Sequence, residues 1–294
     1  MIKKLVIIGV GLIGGSLARA LKQAGEVREV IGVGRHRDHL QQAIDLGVID
    51  KMEMSLPQAT RDADMIVVAT PVGELAAIFK QIAPALSANA ILTDVGSVKG
   101  SVVTAAQTAL GQNFSAYVPG HPLAGAEKSG VLASVADLFR GRRVILTPVN
   151  ETRAMAVEQV RAMWQAVGAE VKLMSAAEHD AILAATSHLP HVLAYALMDM
   201  LVRLRADGSL FGFTAGGFRD FSRIASSDPV IWRDICLANR TALMTALSHY
   251  KNNLDALMRA IEMGDGETLL ATFMRAKQAR DTSVGLDRDD GEID

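Results

Sequence analysis

The sequence predicts an α/β protein, in which an N-terminal doubly wound parallel sheet is followed by an all-α helical domain. Three observations lead to this prediction. Short β-branched runs alternate with alanine-rich helical stretches in the first half, the strand pattern ends near residue 175, and helical period continues to residue 277. We therefore expect domains at 1–175 and 176–284, followed by an acidic disordered tail at 285–294.

Seven short apolar runs are the candidate strands of the first half. They lie at 5–8, 30–33, 65–69, 90–94, 116–118, 144–147 and 170–174. Between them, apolar side chains recur with helical period at 14–24, 37–46, 73–83 and 98–110. Strands that alternate with helices in this way form a parallel sheet with helices on its faces.

The second half is predicted to be helical, with one glycine-rich break at 206–229. Ser227-Asp228-Pro229 then supplies a helix start, and the helical pattern runs from Val230 to Met263 before Gly264-Asp265-Gly266 ends it. A helix of that length indicates either an oligomer interface or a spine buried within one subunit. We favour a homodimer formed through the helical domain.

Length, charge and cysteine content narrow the function classes. The chain has 294 residues, half of them hydrophobic, and its net charge of −2 gives no reason to expect nucleic acid or a membrane as partner. The single cysteine, Cys236, fits a reducing compartment, so we expect a cytoplasmic protein, and we expect no metal site. Lys3 and Lys4 precede an apolar run as in a signal peptide, but a glycine motif occupies that run.

That glycine motif, Gly9-Val10-Gly11-Leu12-Ile13-Gly14, has GxGxxG spacing between a predicted strand and a predicted helix. This context indicates the dinucleotide-binding turn of a Rossmann domain. Gly9 permits the tight turn, Gly11 lets a pyrophosphate approach the backbone, and Gly14 lets helix and strand pack closely. The first N–H groups of the helix, around Leu12 and Ile13, are expected to face the phosphates.

The end of the second strand bears on the choice of cofactor. An NAD enzyme usually carries an acidic side chain there, whereas this chain has Arg35, His36 and Arg37, which suit a ribose 2′-phosphate. We therefore expect NADP to be preferred and NAD to be possible. If the three are only solvated residues at a helix start, both cofactors would be accepted. Thr70 and Pro71, which follow the strand at 65–69, are expected to lie against the cofactor.

One imidazole stands out in the segment Gly120-His121-Pro122-Leu123-Ala124-Gly125, just after the predicted strand at 116–118. It would lie at the carboxyl edge of the sheet, where open α/β sheets bind ligands. Histidine is well suited to accept a proton near neutral pH, although a lone loop histidine can also only cap a turn. Ser97, after the strand at 90–94, could reach the same pocket or could cap a helix.

Five segments together resemble the prephenate dehydrogenase family, which includes arogenate and cyclohexadienyl dehydrogenases. They are GVGLIGGS at 9–16, ATPV at 69–72, TDVGSVKG at 93–100, GHPLAGAEKSG at 120–130 and GGFRDFSRIA at 216–225. The likeness covers residues 2–280. It implies that a hydride leaves the carbinol carbon of prephenate or arogenate for NAD or NADP while carbon dioxide departs.

The resemblance also implies roles for individual residues. His121 would take the proton of the ring 4-hydroxyl with help from Ser97, and Arg223 would grip a substrate carboxylate. Four further residues are expected in the substrate pocket: His191, His188, Asp180 and Gly216. For Arg223 the alternative is a salt bridge to Asp180, and for His188 it is a capped, partly buried helix start. Arg219 is a weaker candidate, and Glu127 with Lys128 either orders the pocket wall or forms a solvated surface pair.

Two other functions stay open from the residues alone. Another dehydrogenase with a Rossmann half and a helical half, of the β-hydroxyacid or imine type, would be indifferent to His121. A non-catalytic dimer that senses NADP would bind dinucleotide and turn over nothing, and the loss of His121 or Arg223 would be its expected mark. Both residues are present.

Overall fold

The structure is a computed structural model that describes residues 1–125, 128–204 and 209–288. The first sheet holds six parallel strands in the order β3-β2-β1-β4-β5-β6. In chain order they are β1 (Ile2–Ile8), β2 (Val27–Val33), β3 (Lys51–Glu53), β4 (Met65–Val68), β5 (Ile91–Asp94) and β6 (Tyr117–Val118). This order is that of the doubly wound dinucleotide-binding fold, which confirms the predicted class. The short strand β3 is additional to the predicted ones.

Helices cover both faces of this sheet: α1 (Leu12–Gln23), α2 (Arg37–Asp45), α3 (Leu56–Thr60), α4 (Leu75–Ile82), α5 (Gly100–Leu110) and α6 (Ala154–Ala166). Leu5 and Ile7 of β1 join one hydrophobic core, and Val6 and Ile8 join another. Successive side chains of a strand point to opposite faces, so β1 contributes to both cores. This buried strand positions the glycine turn that follows it.

The chain forms a second sheet after β6, which corrects the prediction of a single sheet. Its order is β7 (Gly120–Pro122), β8 (Arg143–Leu146) and β9 (Glu170–Leu173), with β7 antiparallel and β9 parallel to β8. Pro119 separates β6 from β7 and cannot donate a ladder hydrogen bond, so the chain leaves the first sheet there. His121 consequently lies within a strand, opposite Ile145, and not in a loop.

Residues 176–204 form one helical run: α7 (Ala176–Leu183), a π-helical turn (Ala184–His188) and α8 (Leu189–Leu204). The Ser175 hydroxyl caps α7 by accepting a hydrogen bond from the N–H of Glu178 at 3.1 Å. Pro190 explains the π turn, because it lacks an N–H for the carbonyl four residues earlier and its ring crowds that carbonyl. By length and composition alone, this run could cross a membrane.

Two predictions for the following segment are wrong. The expected break at 206–229 contains α9 (Gly216–Ser222), and the expected helix at 230–263 is two helices, α10 (Pro229–Ala238) and α11 (Arg240–Glu262). Asp228 caps α10 by accepting from the N–H groups of Val230 and Ile231, as the predicted helix start requires. The helix breaks at Asn239 because its buried side chain makes two long-range hydrogen bonds.

The chain divides into two compact units, Met1–Arg240 and Thr241–Asp294. In the second unit, a turn with Gly264 at φ +65° separates α11 from α12 (Gly266–Arg288). Asp265 caps α12 by accepting from the N–H and the hydroxyl of Thr268. The expected disorder is wrong for residues 285–288, where α12 continues because a formed helix adds residues readily. Residues 289–294 of the expected tail lie outside the described residues.

Candidate active site

The chain leaves β1 through a tight turn of three residues, Gly9 to Gly11. Gly9 has φ +97°, a conformation that only glycine adopts without strain. A Cβ on Gly14 would lie 2.3 Å from the carbonyl oxygen of Gly9, so α1 approaches β1 because residue 14 has no side chain. A Cβ on Gly11 would meet no atom of the described residues within 4 Å, so this glycine keeps a space open.

A cleft of about 790 Å³ lies at this turn, and six of the predicted cofactor residues line it: Gly9, Gly11, Arg35, His36, Thr70 and Pro71. Leu12 and Ile13 begin α1, and the N–H groups of a first helical turn lack partners within the helix. The hydroxyl of Thr70 is buried and has no hydrogen-bond partner in the described part of the chain. Free donors around an open space fit the pyrophosphate of a dinucleotide.

Arg35 and His36 lie in the lining of the same cleft, past the end of β2. Arg35 is exposed and forms an ion pair with Glu74, with Nη1 and Oε1 3.4 Å apart. Arg37 begins α2 and is exposed to solvent. His39, which the sequence prediction did not include, also lines the cleft, with its ring centroid 5.1 Å from that of His36. This end of the cleft is therefore rich in basic side chains, and one of them already has an acidic partner.

A fully buried ion pair holds the backbone before His121. Asp94 ends β5, and its carboxylate lies 2.5 Å from the Nζ of Lys99, with both side chains 0% exposed. Asp94 also accepts hydrogen bonds from the Tyr117 hydroxyl at 2.6 Å and from the N–H of Gly120 at 3.2 Å. Lys99 donates to the carbonyl of Gly120 at 2.7 Å. The two buried charges compensate each other and fix the first residue of β7.

His121 itself is buried, with 9% of its surface exposed. Its Nδ1 lies 2.8 Å from Nε2 of His179, whose Nδ1 lies 2.8 Å from Oδ1 of Asp180. Burial lowers the pKa of His121 well below its usual value, and the charges of Lys99, His179 and His188 act in the same direction. His121 is therefore neutral at neutral pH. Because Nδ1 already has a partner, Nε2 is the ring nitrogen that can act on a ligand.

Asp180 lies differently from what was expected for a substrate-binding residue. Its carboxylate accepts hydrogen bonds from the N–H groups of Lys99 and Gly100, both at 2.8 Å, in addition to its contact with His179. Burial opposes ionisation, but these hydrogen bonds outweigh it and lower the pKa of Asp180. Its oxygens are directed at the start of α5, so we assign Asp180 no contact with substrate.

His188 is almost fully buried, with 1% of its surface exposed. Nδ2 of Asn239 donates to the carbonyl of Asp180 at 2.8 Å and lies 3.1 Å from Nδ1 of His188. An amide N–H₂ group can only donate, so Nδ1 of His188 accepts and the neutral ring carries its proton on Nε2. That atom has no partner among the described residues. Burial lowers the pKa of His188 to about 4.

His191 stacks on Trp232, with ring centroids 3.5 Å apart and planes inclined by 17°. Its Nδ1 lies 2.9 Å from the carbonyl oxygen of Ser187, which fixes the proton on Nδ1. Burial lowers the pKa of His191, the bond to Ser187 opposes this, and the charge of Arg223 lowers the pKa further. Arg223 is therefore close enough to His191 for its charge to disfavour protonation of the imidazole.

A cavity of about 390 Å³ lies beside Arg223. Its lining includes Tyr195 and Met198 of α8, together with Arg219, Asp220, Ser222 and Arg223. The Tyr195 hydroxyl donates to the carbonyl of Ser227 at 2.5 Å, which ties α8 to this segment. Two arginines on one cavity fit a ligand that carries a carboxylate. Gly216 is the first residue of α9, the helix that leads to Arg223.

Three other expectations receive less from the structure. Ser97 is half-buried after β5, but the hydrogen bond recorded for His121 goes to His179, so the role of Ser97 stays a prediction. Glu127 lies outside the described residues. Residues 206–208, at the start of the expected glycine-rich break, also lie outside them.

The sequence prediction missed three residues that hold this site together. The predicted site included neither His179 nor Lys99, and Asn239 lay inside the helix predicted at 230–263. A histidine followed at once by an aspartate near the start of an otherwise apolar helix was the one available signal for the first. Nothing local marked Asn239.

Two family models match the chain. One, described as the nucleotide-binding domain of prephenate dehydrogenase, matches residues 17–173, and one, described as its dimerization domain, matches residues 175–275. The cyclohexadienyl dehydrogenase of Zymomonas mobilis is 39% identical over 280 residues, which are 95% of each chain. The prephenate dehydrogenase of Bacillus subtilis is 36% identical over 94% of this chain and 75% of its own.

Solved structures are similar over the same span. Prephenate dehydrogenase from Aquifex aeolicus, in complex with hydroxyphenyl propionate and NAD⁺, has a TM-score of 0.90 and 36% identity over 95% of this chain and 98% of its own. Arogenate dehydrogenase from Synechocystis has a TM-score of 0.80 and 28% identity over 95% of this chain and 99% of its own.

Proposed function

This chain belongs to the prephenate dehydrogenase family and is an oxidoreductase, and we propose that it oxidises and decarboxylates prephenate, arogenate or both. The observation that carries the proposal is the state of His121. Its ring is buried and neutral, and its Nδ1 is held by His179, which leaves Nε2 for a substrate hydroxyl. A neutral imidazole with a free acceptor nitrogen is what a general base for an alcohol oxidation needs.

The proposed reaction balances with His121 alone as the proton carrier. Nε2 takes the proton of the ring 4-hydroxyl as the carbinol C–H bond breaks, and the hydroxyl carbon becomes a carbonyl. The bond to the ring carboxylate then breaks, carbon dioxide leaves, and its electron pair enters the ring to form an aromatic phenolate. His121 returns its proton to that same oxygen. No second acid is needed, so His121 suffices.

The nicotinamide of NAD or NADP would accept the hydride in this reaction. The cleft fits a dinucleotide, because Gly11 leaves open space beside the first N–H groups of α1 and the buried hydroxyl of Thr70 has no partner in the part of the chain that is described. Arg35 and His36 support a preference for NADP, with NAD also accepted. The ion pair from Glu74 to Arg35 reduces that preference, because the guanidinium is then shared.

Arg223 and His191 are the proposed substrate contacts. Arg223 would hold the ring carboxylate in the cavity beside Tyr195, where a guanidinium can pair with both oxygens. His191 would meet the side chain of the substrate through Nε2, because Ser187 holds its other nitrogen and Trp232 fixes its plane. We also propose that the backbone of Gly216 lies on the substrate side of the site, and that His188 is a neutral N–H donor in the same region.

We further propose that the functional division lies near residue 175 and that the helical part forms a homodimer. The second family model, a dimerization domain, begins at residue 175. In the helical run 176–204, only 22% of the most apolar window is buried, and Met200 and Leu204, four residues apart on one side of α8, are 47% and 66% exposed. An apolar face of this kind fits a second copy of the chain better than water. We accordingly expect a cytoplasmic enzyme that has no membrane partner.

The test is a grid of initial rates with prephenate and arogenate, each paired with NAD and NADP. His121→Asn should reduce kcat about 10²- to 10⁴-fold, the usual contribution of a general base, while dinucleotide affinity measured by fluorescence titration survives. Arg35→Ala should reduce kcat/KM with NADP more than with NAD. No turnover of either substrate by folded wild type that binds dinucleotide would refute the proposed function.

A further inference from the structure

Three side chains lie in a hydrogen-bonded row behind the reacting face of His121. Nδ1 of His121 and Nε2 of His179 are 2.8 Å apart, and Nδ1 of His179 and Oδ1 of Asp180 are 2.8 Å apart. The row joins strand β7 to helix α7 across 58 residues of sequence. His179 is 0% exposed, so water does not compete for its two ring nitrogens.

We infer that His179 and Asp180 act as a relay that fixes the tautomer of His121 and shares the positive charge that His121 acquires during the reaction. The inference rests on the proposed function for its catalytic consequence, but the tautomer can be measured without turnover. His179 and Asp180 are positioning residues in this scheme, because they act through His121 and touch neither substrate nor cofactor.

The carboxylate at the far end of the row, together with an uncharged ring of His179, sets the direction of each hydrogen bond. The carboxylate of Asp180 only accepts, so Nδ1 of His179 must carry a proton and donate it. Nε2 of neutral His179 is then an acceptor, and Nδ1 of His121 must donate to it. The proton of neutral His121 is thereby held on Nδ1, whereas the proton of a free neutral imidazole can be on either nitrogen. Nε2 of His121 is left with the lone pair that the reaction requires.

The N-terminus of α5 keeps this far end in place. The N–H groups of Lys99 and Gly100 donate to the two oxygens of Asp180, which fixes the carboxylate and favours its charged form. The groups that face His121 are Lys99 from the segment after β5, His179 from α7 and His188 from the π turn; Lys99 opposes a positive charge on His121, and each of the two imidazoles does so when it is protonated. Asp180 is the anion hydrogen-bonded into the row that offsets them, because Asp94 already pairs with Lys99.

The tautomer is read directly by long-range ¹H–¹⁵N NMR of the holoenzyme labelled on its seven histidines, with His121 assigned from His121→Asn. In wild type we expect His121 to be protonated on Nδ1 between pH 6.5 and 8. His179→Gln can still accept from Nδ1 and should keep this tautomer, whereas His179→Leu should lose it. Ser175→Ala removes the cap of the same helix without touching the row, so it serves as the matched control and should leave the tautomer unchanged.

Kinetics then separate a relay from a merely structural role. Asp180→Asn leaves one acceptor oxygen for three N–H donors, so kcat should fall on the order of a hundredfold, and the acidic limb of the pH profile should move to lower pH because His121 becomes a weaker base. His179→Leu should lower kcat similarly, His179→Gln should recover part of the loss, and dinucleotide affinity should stay constant in all three.

Two results would overturn the relay while leaving the proposed function intact. One is a wild-type His121 protonated on Nε2. The other is an unchanged tautomer and pH profile in His179→Leu, with wild-type turnover of prephenate or arogenate. If instead wild type turns over neither substrate while His121 is protonated on Nδ1 as expected, the relay geometry is supported and only the assigned reaction fails.

Discussion

Gly11 and Gly14 should respond in opposite ways to the same substitution, although they lie three residues apart in one motif. Gly14→Ala should lower the stability of the protein and leave the cleft lining unchanged. Gly11→Ala should leave the stability unchanged and weaken dinucleotide binding. Each variant is the control for the other, because both add one methyl group to the same glycine motif.

The cost at Gly14 follows from the backbone. The added Cβ would lie 2.3 Å from the carbonyl oxygen of Gly9 and 2.8 Å from Cγ2 of Ile7. A carbonyl cannot rotate away as a side chain can, so α1 must move outward from β1, where Leu17 and Leu21 pack in the same core as Leu5. Overpacking of this kind costs about 1–3 kcal/mol, partly offset by the roughly 1 kcal/mol by which alanine favours a helix over glycine.

At Gly11 the same methyl group meets nothing within 4 Å. The residue has φ −101° and ψ −152°, which alanine also adopts, so the free energy of unfolding should change by no more than about 0.5 kcal/mol. The methyl group would however occupy the space that we assign to the pyrophosphate. A charge-assisted hydrogen bond is worth about 1.5–3 kcal/mol, so the Kd of the dinucleotide should rise on the order of 10- to 100-fold.

The assays are urea unfolding without ligand and titration with NAD and NADP. For a domain of this size 1 kcal/mol corresponds to about 2–4 °C, so Gly14→Ala should also lower Tm by a few degrees. The packing argument fails if Gly14→Ala unfolds at the wild-type urea concentration. The placement of the pyrophosphate fails if Gly11→Ala binds both dinucleotides as tightly as wild type.

Two further predictions concern buried charge. Burial lowers the pKa of His188 in the folded state from 6.5 to about 4, so the folded protein resists protonation of this ring. The stability that the neutral ring contributes is therefore complete above pH 6.5 and falls as the pH drops towards 4. The total loss in the free energy of unfolding is about 3 kcal/mol. His188→Gln should flatten this part of the stability profile, measured by urea unfolding at pH 7 and pH 4.5, and an unaltered slope would contradict the assignment. Lys99→Met leaves Asp94 buried without its cation and should cost about 3–5 kcal/mol, whereas Lys99→Met combined with Asp94→Asn should regain part of the loss. A single variant as stable as wild type would show that the pair does not carry the expected compensation.

Local pattern was enough to predict the first sheet. Each of the longer strands in this sheet corresponds to an apolar run in the sequence that ends in a residue suited to a turn. Each neighbouring helix has its own apolar stripe. The glycine spacing located the cleft because the turn, the close approach and the helix packing each need a missing side chain. These features are properties of consecutive residues, and the sequence displays them directly.

The second sheet could not be predicted in this way, because the neighbour with which a strand pairs is not a local property of the sequence. The runs around Val144 and Val171 read as strands, but nothing in them says which edge they pair with. Pro119 is the physical cause of the change of sheet, and its effect depends on where β8 lies after folding. Asn239 is a similar case, since Ala238-Asn239-Arg240 contains neither glycine nor proline and the helix breaks there for long-range hydrogen bonds.

In the candidate site, the sequence identified the imidazole but not what surrounds it. His121 was found from its place after a strand, whereas its partner His179 lies 58 residues away on another element. Asp180 was expected to face the substrate and is instead directed at the start of α5. Which oxygen meets which N–H is decided by the packing of α7 on α5, and no spacing in the sequence encodes it.

Because of the π-helical turn at 184–188, the site of this enzyme depends on the number of residues in this stretch as well as on the identity of their side chains. His179 and His188 are nine residues apart, which is two and a half turns of an ordinary α-helix and would place them on opposite sides. The wider turn changes this angle, and both rings act on His121, His179 through a hydrogen bond and His188 electrostatically. Removing one residue would rotate all following residues of the helix by about 100° about its axis. This holds even at positions where any apolar side chain would be accepted. We therefore expect this stretch to accept many substitutions yet reject insertions and deletions, so that in relatives that share the site its length varies less than its composition.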